Sequence, residues 1–167
     1  MMTSLVGFTS CSSDDTDGPS NAPSGTLTAS VDGVSFTSLE ISSSATVANT
    51  GSSSNLIIIA TNSDGNGFAF TLIGYNGPGT YPLGGGANIA NTGSYTETMV
   101  DLANPINSTT EIWQAPFDST EAGSITITEE TSTMVMGNFE FMCKNVNGDN
   151  SVKNITEGSF NLNKQTT

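Results

Sequence analysis

From Leu27 onward, apolar and polar positions alternate along most of the chain with a period of two. Leu27, Ala29 and Val31 alternate with Thr26, Thr28 and Ser30, and after Asp32-Gly33 the pattern resumes with Val34 and Phe36. Two alternating runs about an Asp-Gly pair predict a hairpin, because the tight two-residue turn requires positive φ at its central positions. Leu39 and Ile41 continue the alternation, with Ala45 and Val47 as its extension. The run Leu56-Ile57-Ile58-Ile59-Ala60 is apolar on both faces and predicts a central strand covered on both sides. Phe68, Phe70 and Leu72 then share one face. Thr80-Tyr81-Pro82-Leu83 reads as a short edge strand, since Pro82 cannot donate to a ladder. Further strands are expected at residues 94–100, 109–115 and 124–128. Met134 and Met136 lead through Gly137-Asn138, a predicted bulge, to Phe139, Phe141 and Cys143 on one face. Asn147-Gly148 predicts a second hairpin turn, and residues 152–162 close the domain with a kink at Gly158. No window has a period of 3.6. About nine or ten short strands separated by turns predict an all-β fold, an antiparallel β-sandwich or partly open barrel, as a single domain over residues 25–164.

Charge narrows the function. Sixteen acids face only Lys144, Lys153 and Lys164, with no Arg and no His, for a net charge of −13. Nothing here could neutralise phosphates, so nucleic acid is not an expected partner. The polybasic clusters that grip anionic lipid are also missing. Charged residues make up only 11% of the chain, so the surface must be mostly Ser, Thr, Asn and Gly, while 35% apolar content with clear periodicity supports folding.

The absence of His removes the common general base and the commonest metal ligand, and with them any Ser-His-Asp or Cys-His arrangement. Gly84-Gly85-Gly86 is followed by Ala87-Asn88 rather than by the cation of a phosphate loop. Glu129 and Glu130, adjacent on a strand, point to opposite faces and fit solvation better than paired-carboxylate catalysis. Asn62-Ser63-Asp64-Gly65-Asn66-Gly67 matches the first half of a calcium loop, but position 12, where a bidentate Glu belongs, is Ile73, so a polar hairpin turn is expected. The reading is therefore of a non-enzymatic chain, with no catalytic residue, metal site or cofactor assigned. Trp113, Tyr75, Tyr81 and Tyr95 lie near turns or short segments and are the candidate ligand-binding residues, since sugars are gripped by aromatic faces with amide and carboxylate partners. Their alternative role is in the core. Cys143 is expected to be a buried free thiol.

Cys11 carries the most pointed signal. It closes the apolar stretch Leu5-Val6-Gly7-Phe8-Thr9-Ser10 and opens Ser12-Ser13-Asp14-Asp15-Thr16-Asp17. Small residues before a Cys, then an abrupt acidic switch, mark the end of a bacterial lipoprotein signal, where the thiol is acylated. Only ten residues precede Cys11 and none is basic, whereas a secretory signal needs a basic region and roughly 7–15 apolar residues. The native start is therefore expected upstream of Met1. Residues 1–11 read as a signal-peptide remnant with its lipobox and residues 12–24 as a flexible acidic tether. No other stretch approaches the roughly 18 apolar residues of a spanning helix, so an N-terminal lipid is the expected membrane attachment.

Four segments together suggest a family. They are Leu27-Thr-Ala-Ser-Val-Asp32-Gly33-Val-Ser-Phe36, Gly79-Thr80-Tyr81-Pro82-Leu83, Gly137-Asn138-Phe139-Glu140-Phe141 and Ile155-Thr156-Glu157-Gly158-Ser159-Phe160. From Cys11 to near its end, the chain resembles small Bacteroidota surface lipoproteins of unknown function. The resemblance implies an all-β domain at the cell surface, and the acidic residues after Cys11 resemble the signal that sends such lipoproteins to the outer leaflet of the outer membrane; a glycan or another envelope protein is the expected partner there. It supplies no catalytic residues. An alternative role is that of a carbohydrate-binding accessory module in a glycan-uptake system.

Overall fold

The computed structural model describes residues 22–51, 53–85 and 90–166. The hydrophobic alternation becomes eleven strands: β1 (Thr26–Val31), β2 (Val34–Thr37), β3 (Ser43–Thr50), β4 (Ser53–Thr61), β5 (Gly67–Tyr75), β6 (Gly79–Gly84), β7 (Thr92–Met99), β8 (Thr109–Ala115), β9 (Glu121–Glu130), β10 (Met134–Asn145) and β11 (Val152–Thr166). They form one continuous sheet in the order β2-β1-β11-β3-β4-β5-β7-β8-β10-β9-β6, and β10 also pairs with β11. That last pairing closes a ring.

The two longest strands make the closure. Along most of their length β10 and β11 pair with each other, flanked by β9 and β1. At its end β10 crosses to the opposite layer, where Lys144 and Asn145 pair with Gln114 and Trp113 of β8. β11 does the same at its own end, where Lys164–Thr166 run parallel to Ala45–Val47 of β3. Every other pairing among the described residues is antiparallel. The result is a sandwich folded into a partly closed barrel, the all-β class read from the alternation.

The extra strand beyond the expected nine or ten is β3. Ala45 and Val47 do not extend β2, because a 3₁₀ turn at Glu40–Ser42 intervenes. Two buried serines hold that turn: Ser38 Oγ accepts the Leu27 N–H at 2.8 Å and lies 2.8 Å from Ser43 Oγ. The run in β4 also departs from expectation. Leu56, Ile58 and Ala60 are buried, but Ile57 is 37% and Ile59 50% exposed. β4 is covered on one face only among the described residues, and periodicity alone cannot separate that case from a strand buried on both faces.

The turns follow their chemistry. Asp32 and Gly33 take φ of 50° and 83° and place Val31 opposite Val34, the expected tight hairpin. The β10–β11 connection is longer than Asn147-Gly148 suggests, running over residues 146–151. Register shifts fall at Met136/Gly137 against β9 and beside Gly158 in β11, where the preceding Glu157 has φ of 53°. β6, with Pro82, is an edge strand.

The core lies between the layers. Phe68 and Phe70 of β5 meet Phe139 and Phe141 of β10, and Phe36 of β2 closes one end against Phe68 at 4.9 Å between ring centroids. Cys143 is a buried free thiol within this core, as read from its place in the alternation.

Candidate functional site

With three lysines against sixteen acids, the place of each lysine matters. Lys153, on β11, is the most informative. Its Nζ sits 4.4 Å from the Trp113 ring centroid and 5.9 Å from that of Tyr95. It also pairs with Glu97 at 2.9 Å and reaches Asp32 at 3.9 Å. β11, β7 and the β1–β2 hairpin tip thus converge on one ammonium group. Asp32 adds a second tie, accepting the Asn154 N–H at 2.8 Å.

Beside this group is a cleft of about 250 Å³, bounded by the β1–β2 hairpin, the β4–β5 turn and β7. Its charged lining is Asp32, Asp64, Glu97 and Lys153, and its apolar lining includes Val31, Val34 and Phe36. Side-chain hydrogen bonds shape the β4–β5 turn. Asn62 Oδ1 accepts the N–H groups of Asp64 and Asn66 at 3.0 and 2.9 Å, and Asn66 Oδ1 accepts that of Thr98 at 2.9 Å. The Asn62 and Asn66 oxygens of the calcium-like segment therefore point at backbone donors, as a hairpin turn requires, while Asp64 faces the cleft. Among the described residues, no group of three or more His, Cys, Asp or Glu side chains is placed to hold a metal ion.

Lys164 is a second partly buried cation with a carboxylate partner. It donates to Glu130 Oε1 at 2.6 Å, and the Tyr75 hydroxyl donates to Glu130 Oε2, also at 2.6 Å. Glu129 and Glu130 do face opposite sides, but Glu130 is clamped between β5 and β11 rather than solvated.

The four aromatic candidates do not form one exposed face. Trp113, Tyr95 and Tyr75 are core residues, 4%, 4% and 5% exposed. Trp113 donates from Nε1 to Ser151 Oγ at 3.0 Å. Tyr81 is half-buried, donates its hydroxyl to the Gly77 carbonyl at 2.7 Å and packs beside Tyr75. The pairs Tyr75–Tyr81 and Tyr95–Trp113 belong to different clusters, one around Glu130 and one around Lys153. Cys11, the lipidation candidate, lies outside the described residues. Reading by residue type missed Lys153, Glu97, Asp32 and Asp64. The available signal was scarcity: in so acidic a chain, each lysine is worth tracing to its partners.

The family model described as a domain of unknown function, DUF6252, matches residues 24–162. The chain belongs to the DUF6252 family. No curated protein and no solved structure matches the chain. The matched span begins just ahead of β1 and runs into β11, so the whole cleft lies within the DUF6252 domain, whereas Lys164 lies beyond it.

These environments set a pH window for the DUF6252 fold. Burial pushes the Glu130 carboxyl up, but the Lys164 and Tyr75 hydrogen bonds outweigh it and hold the group below the usual glutamate range. Such a group contributes stability that is fully present above its unfolded value and lost as pH falls through the folded one. The opposite holds for groups raised on folding. Burial, then the Glu130 carboxylate, raises Tyr75; burial, then Glu97, raises Tyr95. Burial, then Asp32, pushes the Cys143 thiol up to about 12. Their stabilisation is present below the unfolded values, about 8.5 for a thiol and about 10 for a phenol, and is lost above them. Melting temperature is expected to be flat from about pH 5 to about pH 8 and to fall on both sides. Glu130→Gln should shrink the acid-side fall. A melting temperature that rises below about pH 4 would contradict the assignment.

Proposed function

We propose that this DUF6252 chain is a non-enzymatic, lipid-anchored cell-envelope protein. In this reading Cys11 carries the lipid, residues 12–24 act as tether, and the β domain is held at the outer membrane surface to meet a partner. The observation that carries the reading is the apolar–Cys–acidic junction at Cys11, followed after residues 12–25 by the first strand at Thr26. The site chemistry supports it. Among the acids around the partly buried lysines, Glu130 and Glu97 are already paired with Lys164 and Lys153, as structural clamps are. The buried thiol, raised to about 12, is a poor nucleophile at neutral pH.

The test is fractionation of cells expressing the gene from its native upstream region, with radiolabelled palmitate added. The wild-type chain is expected in the membrane fraction and labelled. Cys11→Ser should be unlabelled and released, since the DUF6252 domain offers no basic patch to hold it. Equal membrane association of Cys11→Ser and wild type would refute the anchor.

A further inference from the structure

The strand order ends on two edges, β6 and β2, and they are treated differently. An open edge presents N–H and C=O groups ready to pair with another chain, and proteins ordinarily blunt it. On β6 the edge is blocked: Pro82 has no N–H, and its carbonyl accepts from Asn91 Nδ2 at 3.2 Å. Asn91 is itself buried, and its Oδ1 accepts the Ile73 N–H at 3.1 Å. The part of β8 not paired with β10 is capped in the same way, since Asn147 accepts the Ile112 N–H at 2.8 Å and donates to the Thr110 carbonyl at 2.9 Å.

Among the described residues, β2 has no such device. The Ser38 N–H bonds to the Leu27 carbonyl, and Val31 stands opposite Val34. Antiparallel pairs alternate between bonded and non-bonded, so Val34 and Phe36 bond to β1 while Ser35 and Thr37 turn their backbone groups away from it. Both residues are exposed. Just beyond, Leu39 N–H donates to the Thr61 carbonyl at 2.9 Å, which begins a pairing with the end of β4 that β2 does not continue. β2 and the β4–β5 turn diverge from that bond, and the cleft lined by Val34, Ser35, Phe36 and Asp64 is the wedge between them.

We propose that the free edge of β2 is a docking site for an extended, basic peptide segment of a partner protein, which adds a strand beside Ser35 and Thr37 and places a cationic side chain among Asp64, Glu97 and Asp32. Main-chain bonds supply affinity in this mode and side-chain pockets supply selectivity. Charge selects the partner. The cleft carries three carboxylates against one ammonium, which is already held by Glu97 and the Trp113 ring. A second copy of the chain would bring another −13 and be repelled, whereas a basic segment is attracted.

The experiment titrates the purified chain with an acetylated, amidated hexapeptide of alternating valine and lysine, followed by NMR amide shifts and hydrogen exchange. Its controls are the valine–glutamate counterpart and a backbone N-methylated version. The expected result is shifts and exchange protection at the Ser35 and Thr37 amides, no binding by either control, and affinity about threefold weaker in Asp64→Asn, the size of a partly exposed ion pair. Ser35→Pro, which removes a free-edge N–H without touching the β1 ladder, should abolish binding with the melting temperature retained. Glu140→Gln changes net charge equally but lies outside the cleft, and it should bind as wild type. Four outcomes would each overturn the proposal. These are no binding at millimolar peptide, binding that survives N-methylation, equal weakening by Glu140→Gln, or peptide-independent dimerisation that protects the same amides.

Discussion

Phe68→Ala is expected to destabilise the domain by about 3–5 kcal/mol, the cost of deleting a well-packed aromatic from a core that collapses only partly around the cavity. Phe68 is 1% exposed and stands where both layers meet. Its ring centroid is 4.9 Å from those of Phe36 and Tyr95, 5.5 Å from Phe139 and 6.4 Å from Phe70 and Phe141. Phe36 belongs to the first hairpin, Tyr95 to β7 and Phe139 to β10, so one ring ties together distant parts of the chain. Urea unfolding reads the effect as a lower midpoint with an unchanged slope. Phe117→Ala is the internal comparison. Phe117 is 36% exposed on a loop, and its loss should fall within about 0.5 kcal/mol. A Phe68→Ala cost below about 1 kcal/mol would mean the layers do not pack through this ring.

Gly137→Ala is expected to cost about 3 kcal/mol, for the opposite reason: matter added where there is no room. Gly137 faces Phe160 across the β10–β11 ladder. A Cβ at position 137 would come within 2.6 Å of Phe160 Cζ and also strike the Thr126 carbonyl oxygen on β9. The backbone atom cannot move without breaking the ladder, so the strain cannot relax by a rotamer change alone. Gly158 stands in the same relation to Phe139, where a Cβ would lie 2.6 Å from Phe139 Cε2. The two glycine–aromatic pairs let β10 and β11 approach closely while their phenyl rings lie over the bare backbone. Gly33→Ala separates this crowding from backbone freedom, since a Cβ there meets nothing within 4 Å but the residue has φ of 83°. It should cost about 1 kcal/mol, through conformation alone. Thermal melts of the two variants give the ranking, and a neutral Gly137→Ala would contradict the packing account.

The fold was legible where chemistry is local. The period-two alternation, the Asp32-Gly33 turn, the Pro82 edge and the interruption at Gly137 each act through neighbouring backbone, and each reads directly from adjacent residues. What could not be read depends on which layer a strand joins. Ile57 and Ile59 looked buried because nothing in their own segment says that the outer side of β4 is bare among the described residues. Ala45 and Val47 looked like a continuation because the serines that hold the intervening turn, Ser38 and Ser43, are unremarkable in sequence. The cleft was invisible for a related reason. Asp32, Asp64, Glu97 and Lys153 come from four segments, and only the closure of the ring by β10 and β11 brings them together. Trp113 and Tyr95 carried a residue-type signal, but it marks the apolar support beneath Lys153 rather than an exposed platform.

The anchor at Cys11 is the claim on which the placement of the domain rests. Mass spectrometry of the N-terminal peptide, from protein extracted with detergent from its native cells, tests it most directly. The account predicts a chain that begins at Cys11, with a diacylglyceryl thioether on its sulfur. A peptide continuing upstream through Ser10, or a Cys11 recovered as an unmodified thiol, would contradict it.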